Sequence, residues 1–273
     1  MQRERIPRPA VAGTWGASIY AFFGGEYMTN AELSKPALIP RERLVFPLDV
    51  PDWDQARSLV DLLYGVVGYF KVGLELFVRY GPEAVRDLSA RTSGRAGIFL
   101  DLKLHDIPAT VGRAMAAVSA LGVDLVTVHA GDGRAMMRAA KASAGRTRVL
   151  GVTVLTSQDL KEDLGLAPEY EEPINLVLLR ARMAWDAGCD GLVCSGKEAA
   201  EVRQALGPTP LIVAPGIRPA WSLVEGDDQK RIVTPARAVA AGADLLVVGR
   251  PIRDAKDPAE AAARVVEEIA TAV

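Results

Sequence analysis

The feature that most constrains the fold is a regular alternation of short apolar runs and amphipathic stretches from Leu44 to the end of the chain. The runs are LVFPLDV (44–50), YFKVG (69–73), GIFLDLK (97–103), DLVTVHA (124–130), RVLGVTVLT (148–156), DGLVCS (190–195), LIVAPGI (211–217) and DLLVVGR (244–250). Their near-continuous Val, Ile and Leu character is typical of parallel strands that are buried on both faces. Stretches with helical periodicity, such as DPAEAAARVVEEIATAV, separate them.

Eight strand–helix units in one uninterrupted series predict a closed (β/α)8 TIM barrel, an α/β fold that forms a single domain. An open doubly wound sheet normally carries a glycine-rich fingerprint after its first strand, and none follows Asp49. We therefore assign residues 41–273 to the barrel. Residues 1–40, rich in Gly and Pro, are expected to form a weakly structured, flexible extension. Met28 is an alternative first residue, and the sequence leaves both starts open.

Charge and apolar content limit the classes of partner. The 32 basic and 34 acidic side chains nearly balance, so the overall positive charge typical of a nucleic-acid-binding protein is missing. No apolar run reaches the roughly 20 residues of a membrane-spanning helix. AVAGTWGASIYAFF follows three arginines as in a secretion signal, but Gly, Thr and Ser dilute it. Cys189 and Cys194 are expected to be buried, reduced thiols. These features predict a cytoplasmic protein that binds neither nucleic acid nor membrane.

Charged residues recur at the carboxyl ends of the first three predicted strands. Asp49 ends the first strand, Lys71 lies late in the second, and Asp101 and Lys103 end the third. Active sites of TIM barrels form at these ends, and alternation along a strand points residues 101 and 103 to the same side. A structural ion-pair network is the alternative, but desolvation costs several kcal/mol per ion, which favours a functional role. Opposite charges nearby keep both lysines protonated, which favours electrostatic or acid catalysis over an amine nucleophile.

Three ionisable residues close to these strand ends have more than one interpretation. Asp106 lies in the turn before Pro108, where a carboxylate that caps the next helix and a functional carboxylate are both open. His105, in the same turn, is expected to make a local hydrogen bond. His129, at the end of the fourth strand, either lines the site or is a hydrogen-bonded core residue.

The last two strands carry a second signal. Arg218 follows the seventh strand, Gly249 and Arg250 end the eighth, and the segment 218–234 between them contains Gln229. Loops in these positions form phosphate sites in many TIM barrels, with backbone N–H groups and planar guanidinium groups as donors. The segment is longer than a connection requires, which indicates a mobile lid that closes over the substrate. A solvated surface loop is the alternative.

The motifs FPLDV, FKVG, DLKLHDIPAT, VTVLTS, APGIRP, DQKRIVTPARA and VVGRPI, in this order and spacing, resemble the orotidine 5′-phosphate decarboxylase family, most closely its bacterial form. The resemblance extends from about Leu44 to Val273, and Ala109 departs from the Asn that is common in the family. It implies an enzyme without metal or cofactor that converts orotidine 5′-monophosphate to UMP and CO2, the last step of de novo pyrimidine biosynthesis.

The resemblance also implies roles for individual residues. An array of Lys71, Asp101, Lys103 and Asp106 would surround the leaving carboxylate, with Lys103 stabilising the C6 carbanion and protonating it. Asp106 would reach the site of the partner subunit in a homodimer. The remaining implied contacts are Ile107 and Thr110 beside Asp106, Asp49 to a ribose hydroxyl, Thr156 to the pyrimidine, and Arg218, Gln229, Gly249 and Arg250 to the phosphate.

Two other functions fit parts of this pattern. A magnesium-dependent sugar-phosphate decarboxylase or aldolase on a similar barrel shares an Asp-x-Lys-x-x-Asp core, which DLKLHD also matches. A barrel that binds nucleotides without catalysis would keep the phosphate site alone. Lys71, the DQKR stretch and the HDIP turn favour the nucleotide decarboxylase.

Overall fold

The computed structural model describes residues 38–131, 133–156, 158, 172–222 and 233–273, together with the backbone of 21–23 and 26–28. The chain divides into two compact units, Met1–Ala37 and Leu38–Val273. In the first unit, two strands, Ala21–Phe23 and Glu26–Met28, pair antiparallel. The other residues of the predicted flexible extension before Leu38 lie outside the described residues.

The second unit contains the predicted barrel. Its strands are β1 Leu44–Pro47, β2 Tyr69–Gly73, β3 Gly97–Leu104, β4 Leu125–His129, β5 Arg148–Val152, β6 Gly191–Val193, β7 Leu211–Ala214 and β8 Leu245–Val247. Each strand is parallel to the next along the chain, and β8 pairs with β1, so that the sheet closes. The predicted (β/α)8 TIM barrel is thus confirmed.

Helices connect the strands on the outside of the barrel. They are α1 Trp53–Leu63, α2 Leu74–Thr92, α3 Pro108–Ala120, α4 Arg134–Ala142, α5 Pro173–Asp186, α6 Ala199–Leu206, α7 Pro235–Ala240, α8 Arg250–Arg253 and α9 Pro258–Ala270. Several begin with proline at the first or second position, where its missing N–H costs nothing. In the described part of the chain, none of these helices combines the length and the apolar character needed to cross a membrane.

A recurring joint fixes three pairs of neighbouring strands at their amino ends. The sequences LGVD, AGCD and AGAD each place an Asp directly before a strand. The carboxylates of Asp124, Asp190 and Asp244 accept backbone N–H groups of Ile98, Val149 and Ile212 on the preceding strands, each at 2.8 Å. The preceding glycine has positive φ in each joint, for example 73° at Gly122, which ends the helix in a conformation that side chains disfavour.

The apolar core lies in two layers. Val45, Phe99, Leu125, Leu150, Leu211, Val213 and Leu245 form a cluster inside the barrel. A larger cluster fills the space between the strands and the helices, and Cys189 and Cys194 are buried free thiols within it, as predicted. Because the inner cluster fills the barrel, it forms an apolar floor for any site at the carboxyl ends of the strands.

Several strands are shorter than predicted at their carboxyl ends. β1 ends at Pro47 and not at Val50, and β5 ends at Val152 and not at Thr156. Asp49 and Thr156 therefore lie in loops above the strands and not on them. This places both side chains at the rim of the barrel mouth.

Candidate active site

Four charged side chains meet at the mouth of the barrel, contributed by β2, β3 and the loop after β1. Lys71 Nζ lies 3.3 Å from Asp49 Oδ1 and 3.4 Å from Asp101 Oδ2. Lys103 Nζ lies 2.9 Å from Asp101. The side chains of Lys71 and Asp101 are only 11% and 13% exposed. The structure thus brings together the charges that the strand pattern predicts to be neighbours.

Asp101 is the central member of this array. Both of its carboxylate oxygens accept hydrogen bonds from Lys103 Nζ at 2.9 Å, and Oδ1 also accepts one from Thr127 Oγ1 at 2.8 Å. Burial raises the pKa of Asp101, but the charges of Lys71 and Lys103 and the hydrogen bonds from Lys103 and Thr127 outweigh it, so the pKa lies below its ordinary value. Asp101 is therefore a carboxylate that holds two ammonium groups in place.

The strand that carries Asp101 and Lys103 is irregular at this point. Between the pairs Leu100–Val126 and Leu104–Val128, β3 advances by four residues while β4 advances by two. Lys103 has a φ of 50°, in the left-handed region that residues with a side chain rarely adopt. Simple strand alternation predicts that residues 101 and 103 point the same way, but here the two side chains meet through a bulge in β3.

Beside the charges lies a cavity of about 240 Å³. Lys71, Asp101 and Lys103 form one side of it. Its other lining residues are mostly apolar: they are Phe99, Val152, Val154, Leu155, Thr156, Val193, Val213, Pro215 and Val247. A site of this kind suits a planar ring that carries a charged substituent toward the lysines.

Asp106, Ile107 and Thr110 do not line this cavity in their own chain. Asp106 is exposed, and its Oδ1 accepts the backbone N–H of Ile107 at 2.6 Å. Ile107 is the N-cap residue of α3 and is 65% exposed. The turn thus presents a carboxylate and a large apolar side chain outward, next to the barrel mouth.

The residues expected to bind phosphate lie after β7 and β8. Arg218 is buried, and its backbone N–H bonds to the carbonyl of Val233 at 3.0 Å, which joins the two ends of the intervening segment. Gly249 is the N-cap of α8 and Arg250 its first residue. A Cβ at position 249 would lie 2.9 Å from Pro47 Cγ, so this close approach requires glycine. Gln229 and the DQKR stretch lie outside the described residues, as does most of the predicted lid.

The two histidines contact each other. The rings of His105 and His129 pack edge to face with their centroids 5.6 Å apart. Both line a second cavity of about 160 Å³, together with Thr153 and Arg180. His129 is therefore a cavity-lining residue and not part of the apolar core.

Sequence reasoning missed two residues that hold the array. Thr127, in the middle of β4, bonds to both Asp101 and the backbone N–H of Lys103. Arg253, in α8, donates to the backbone carbonyl of Asp49 at 2.9 Å. A threonine within a strand and an arginine within a helix carry no local signal, because their roles depend on residues distant in sequence. In the described ranges, His, Cys, Asp and Glu side chains form no group of three or more that could hold a metal ion.

Comparison with known proteins identifies the family. The family model described as "Orotidine 5'-phosphate decarboxylase / HUMPS family" matches residues 42–265. Orotidine 5′-phosphate decarboxylase of Desulfosudis oleivorans is 50% identical over 238 residues, which cover 86% of this chain and 95% of the relative. The protein of the same name from Anaeromyxobacter sp. (strain K) is 51% identical over 226 residues, which cover 82% of this chain and 96% of the relative.

Solved structures agree with this result. The crystal structure of orotidine 5′-phosphate decarboxylase from Lactobacillus acidophilus has a TM-score of 0.70 and 33% identity, covering 83% of this chain and 98% of that one. The enzyme of the same name from Pyrococcus horikoshii OT3 has a TM-score of 0.67 and 28% identity, covering 83% of this chain and 99% of that one. The resemblance expected from the sequence is confirmed, and the chain belongs to the orotidine 5′-phosphate decarboxylase / HUMPS family.

Proposed function

We propose that this chain is a carboxy-lyase that decarboxylates orotidine 5′-monophosphate to UMP and CO2, the last step of de novo pyrimidine biosynthesis, and that it acts in the cytoplasm. Two observations support this reaction. The chain belongs to the family, and relatives named orotidine 5′-phosphate decarboxylase share about half of its residues. The observation that carries the proposal is the Lys71–Asp101–Lys103 array beside a largely apolar cavity at the barrel mouth.

The chemistry assigned to Lys103 follows from its charge and position. When the bond between C6 and the carboxylate breaks, CO2 leaves and the electron pair stays on C6, in the plane of the ring and without an enolate to accept it. An ammonium group fixed nearby stabilises that negative charge, and such preorganised stabilisation is usually the largest catalytic contribution. Lys103 then donates a proton from Nζ to C6 and regains one from solvent. Asp101 faces the substrate carboxylate and keeps both lysines oriented.

The rest of the substrate is assigned to residues around the rim. Asp49 binds a ribose hydroxyl, and Thr156 contacts the pyrimidine. Arg218, Gln229, Gly249 and Arg250 bind the phosphate. Because the phosphate lies far from C6, its binding energy is available to close the site and organise the transition state.

A homodimer completes this site. The exposure of Asp106 and Ile107, together with their absence from the lining of the cavity in their own chain, supports this proposal. In the proposed dimer, these residues and Thr110 enter the site of the partner subunit, where Asp106 joins Lys71, Asp101 and Lys103 around the leaving carboxylate. The 65% exposure of Ile107 beside the outward Asp106 supports this assignment, since an interface would remove this apolar side chain from water.

The experiment is a decarboxylation assay on the purified full chain after exhaustive chelation. Orotidine 5′-monophosphate is added, the change in UV absorbance is followed, and UMP is identified by chromatography. We expect rapid, metal-independent formation of UMP, which the Lys103→Ala variant loses. Absence of UMP would refute the proposal, and a strict requirement for added Mg²⁺ would favour the sugar-phosphate decarboxylase or aldolase that shares the Asp-x-Lys-x-x-Asp core.

A further inference from the structure

Thr127 connects the two most important residues of the array through one hydroxyl group. Its side chain is fully buried in the middle of β4. Oγ1 accepts the backbone N–H of Lys103 at 2.9 Å and donates to Asp101 Oδ1 at 2.8 Å. A hydroxyl has one proton and two acceptor lone pairs, so both bonds form at the same time.

The first of these bonds supports an unusual backbone. Lys103 has a φ of 50°, and the bulge in β3 removes this part of the strand from regular pairing with β4. A residue with a side chain stays in the left-handed region only where its surroundings hold it there. Without Thr127, the Lys103 N–H would lack its acceptor in a partly buried site, where an unpaired donor is costly.

The second bond holds Asp101 during the reaction. The other donors to its carboxylate are cationic, with Lys103 on both oxygens and Lys71 close to Oδ2. In the proposed reaction, Lys103 loses its charge when it donates a proton to C6, which weakens its hydrogen bonds to Asp101. The Thr127 hydroxyl takes no part in proton transfer, so its bond to Asp101 persists while those from Lys103 weaken.

We propose that Thr127 is a positioning residue of the decarboxylation site, whose hydroxyl fixes the Asp101 carboxylate and the Lys103 backbone in the geometry that proton transfer to C6 requires. The inference rests on the proposed function for the reaction that is positioned. The geometry itself depends only on contacts within β3 and β4.

The groups around Asp101 determine how a substitution at Thr127 changes the pKa of the Asp101 carboxyl group. Lys71 faces it from β2 and Lys103 from β3, and Asp49 reaches it only through Lys71. On β4, the contact is Thr127 itself, and the nearby His129 ring packs on His105. Because the Thr127 hydrogen bond is one of the contributions that lower the pKa of Asp101, its loss raises that pKa.

The test compares Thr127→Val, which keeps the shape and removes the hydroxyl, with Thr127→Ser, which keeps the hydroxyl. Thr147→Val is the matched control, because Thr147 is also fully buried and its Oγ1 donates to the Val123 carbonyl at 2.9 Å, next to the amino end of β5. Steady-state kinetics with orotidine 5′-monophosphate are measured as a function of pH. If Thr127→Val does not fold, Thr127→Ala takes its place in the comparison with Thr127→Ser.

We expect Thr127→Val to lower kcat by roughly tenfold or more with a KM within about twofold of the unmodified chain, since the lost contact positions the transition state. The acidic limb of its kcat profile moves to higher pH. Thr127→Ser retains most of the activity, and Thr147→Val keeps both kcat and the profile. Unchanged kcat in Thr127→Val, or an equal loss in Thr147→Val, would overturn the proposal.

A second readout needs no turnover. The carboxylate of Asp101 is titrated by 13C NMR in the substrate-free protein, and its pKa is expected to be higher in Thr127→Val than in the unmodified chain. An unchanged titration overturns the positioning role. If the unmodified chain forms no UMP while this shift is present, the proposed function fails and the structural role of Thr127 stands.

Discussion

The ammonium group of Lys103 lies 2.9 Å from each carboxylate oxygen of Asp101, so the same carboxylate accepts two hydrogen bonds from one cation. Lys71 Nζ lies 3.4 Å from Oδ2 of the same carboxylate. The carboxylate of Asp101 lies between the two ammonium groups and attracts both, which holds them at the cavity. In the proposed reaction, the proton donor is therefore in position before any substrate enters.

Lys103→Ala tests the assigned proton donor. We expect kcat to fall by about three orders of magnitude or more, because both the stabilising charge and the proton are lost. The fold should persist, since Lys71 still pairs with Asp101. Turnover is measured by UMP formation and folding by circular dichroism.

The matched control for this variant is Lys256→Ala, which removes an exposed lysine from the loop before α9. It should leave turnover unchanged. Turnover of Lys103→Ala close to that of the control would assign the proton transfer to another residue.

Asp101→Asn tests the contribution of the array to stability. The folded-state pKa of Asp101 is lowered, so the ionised carboxylate stabilises the fold. That contribution is fully present above the unfolded-state pKa of about 3.9 and is lost as the pH falls through the folded value. We expect the free energy of unfolding of the variant to be about 1–3 kcal/mol lower at pH 7. This is less than the loss expected on breaking a fully buried ion pair, because Lys103 is partly exposed.

Urea unfolding at several pH values measures this difference. The gap between the unmodified chain and Asp101→Asn should narrow as the pH falls from about 4 through the lowered folded-state pKa of Asp101, because the unfolded chain binds a proton there before the folded chain does. Asp186→Asn, which removes the charge of an exposed pair with Arg134, should cost little at any pH. A gap that does not change with pH would contradict the assigned role of the charge.

The barrel and the location of its charged mouth could be predicted from sequence because both follow from local patterns. Apolar runs mark the strands, and a barrel places their carboxyl ends on one face. The bond from the Lys103 backbone N–H to Thr127 could not, because it depends on the bulge in β3, which shifts its register against β4. Val and Thr both favour strands, so the residue type at 127 gave no indication of a hydrogen bond to a residue 26 positions away.

The residues at which the strands end could not be predicted from the sequence either. LVFPLDV reads as one apolar run, but backbone pairing of β1 ends at Pro47. The Leu48 N–H still bonds to the Lys71 carbonyl at 2.9 Å, after which the chain turns and carries Asp49 to the rim. Apolar residues continue past the ladder here because the mouth of the barrel is itself packed, with Leu48 and Val50 buried.

Burial of the two thiols predicts their reactivity. Burial is the main reason that the pKa of Cys189 and of Cys194 is raised to about 12. Since the thiolate is the reactive form, neither should react with a disulfide reagent at pH 8 in the folded protein. Both should react once the chain is unfolded in guanidinium chloride. Rapid reaction of the native protein would contradict this burial.

Arg250→Ala tests the assigned phosphate site. Loss of one charge-assisted hydrogen bond of roughly 1.5–3 kcal/mol should weaken UMP binding by about 10- to 100-fold. Binding of uridine, which lacks the phosphate, should not change. Calorimetric titration with both ligands separates the two effects. Arg237→Ala, at an exposed position of α7, should bind both like the unmodified chain.

Mixing two inactive variants tests whether the site is shared between subunits. In the proposed dimer, Lys103 acts in its own chain and Asp106 acts in the partner's site. A hybrid of Lys103→Ala and Asp106→Ala chains then contains one site with both defects and one with neither. After unfolding and refolding an equal mixture, about half of the dimers are hybrids, so roughly a quarter of all sites should be intact.

Decarboxylation activity of the mixture is compared with that of each variant refolded alone and of the unmodified chain treated in the same way. Recovery to about a quarter of the unmodified activity requires that Asp106 crosses an interface, because no single chain in the mixture carries both residues. If Asp106 served its own chain, every site would retain one defect whatever its partner. The mixture would then stay as inactive as its components, and the exposed turn before α3 would need another explanation.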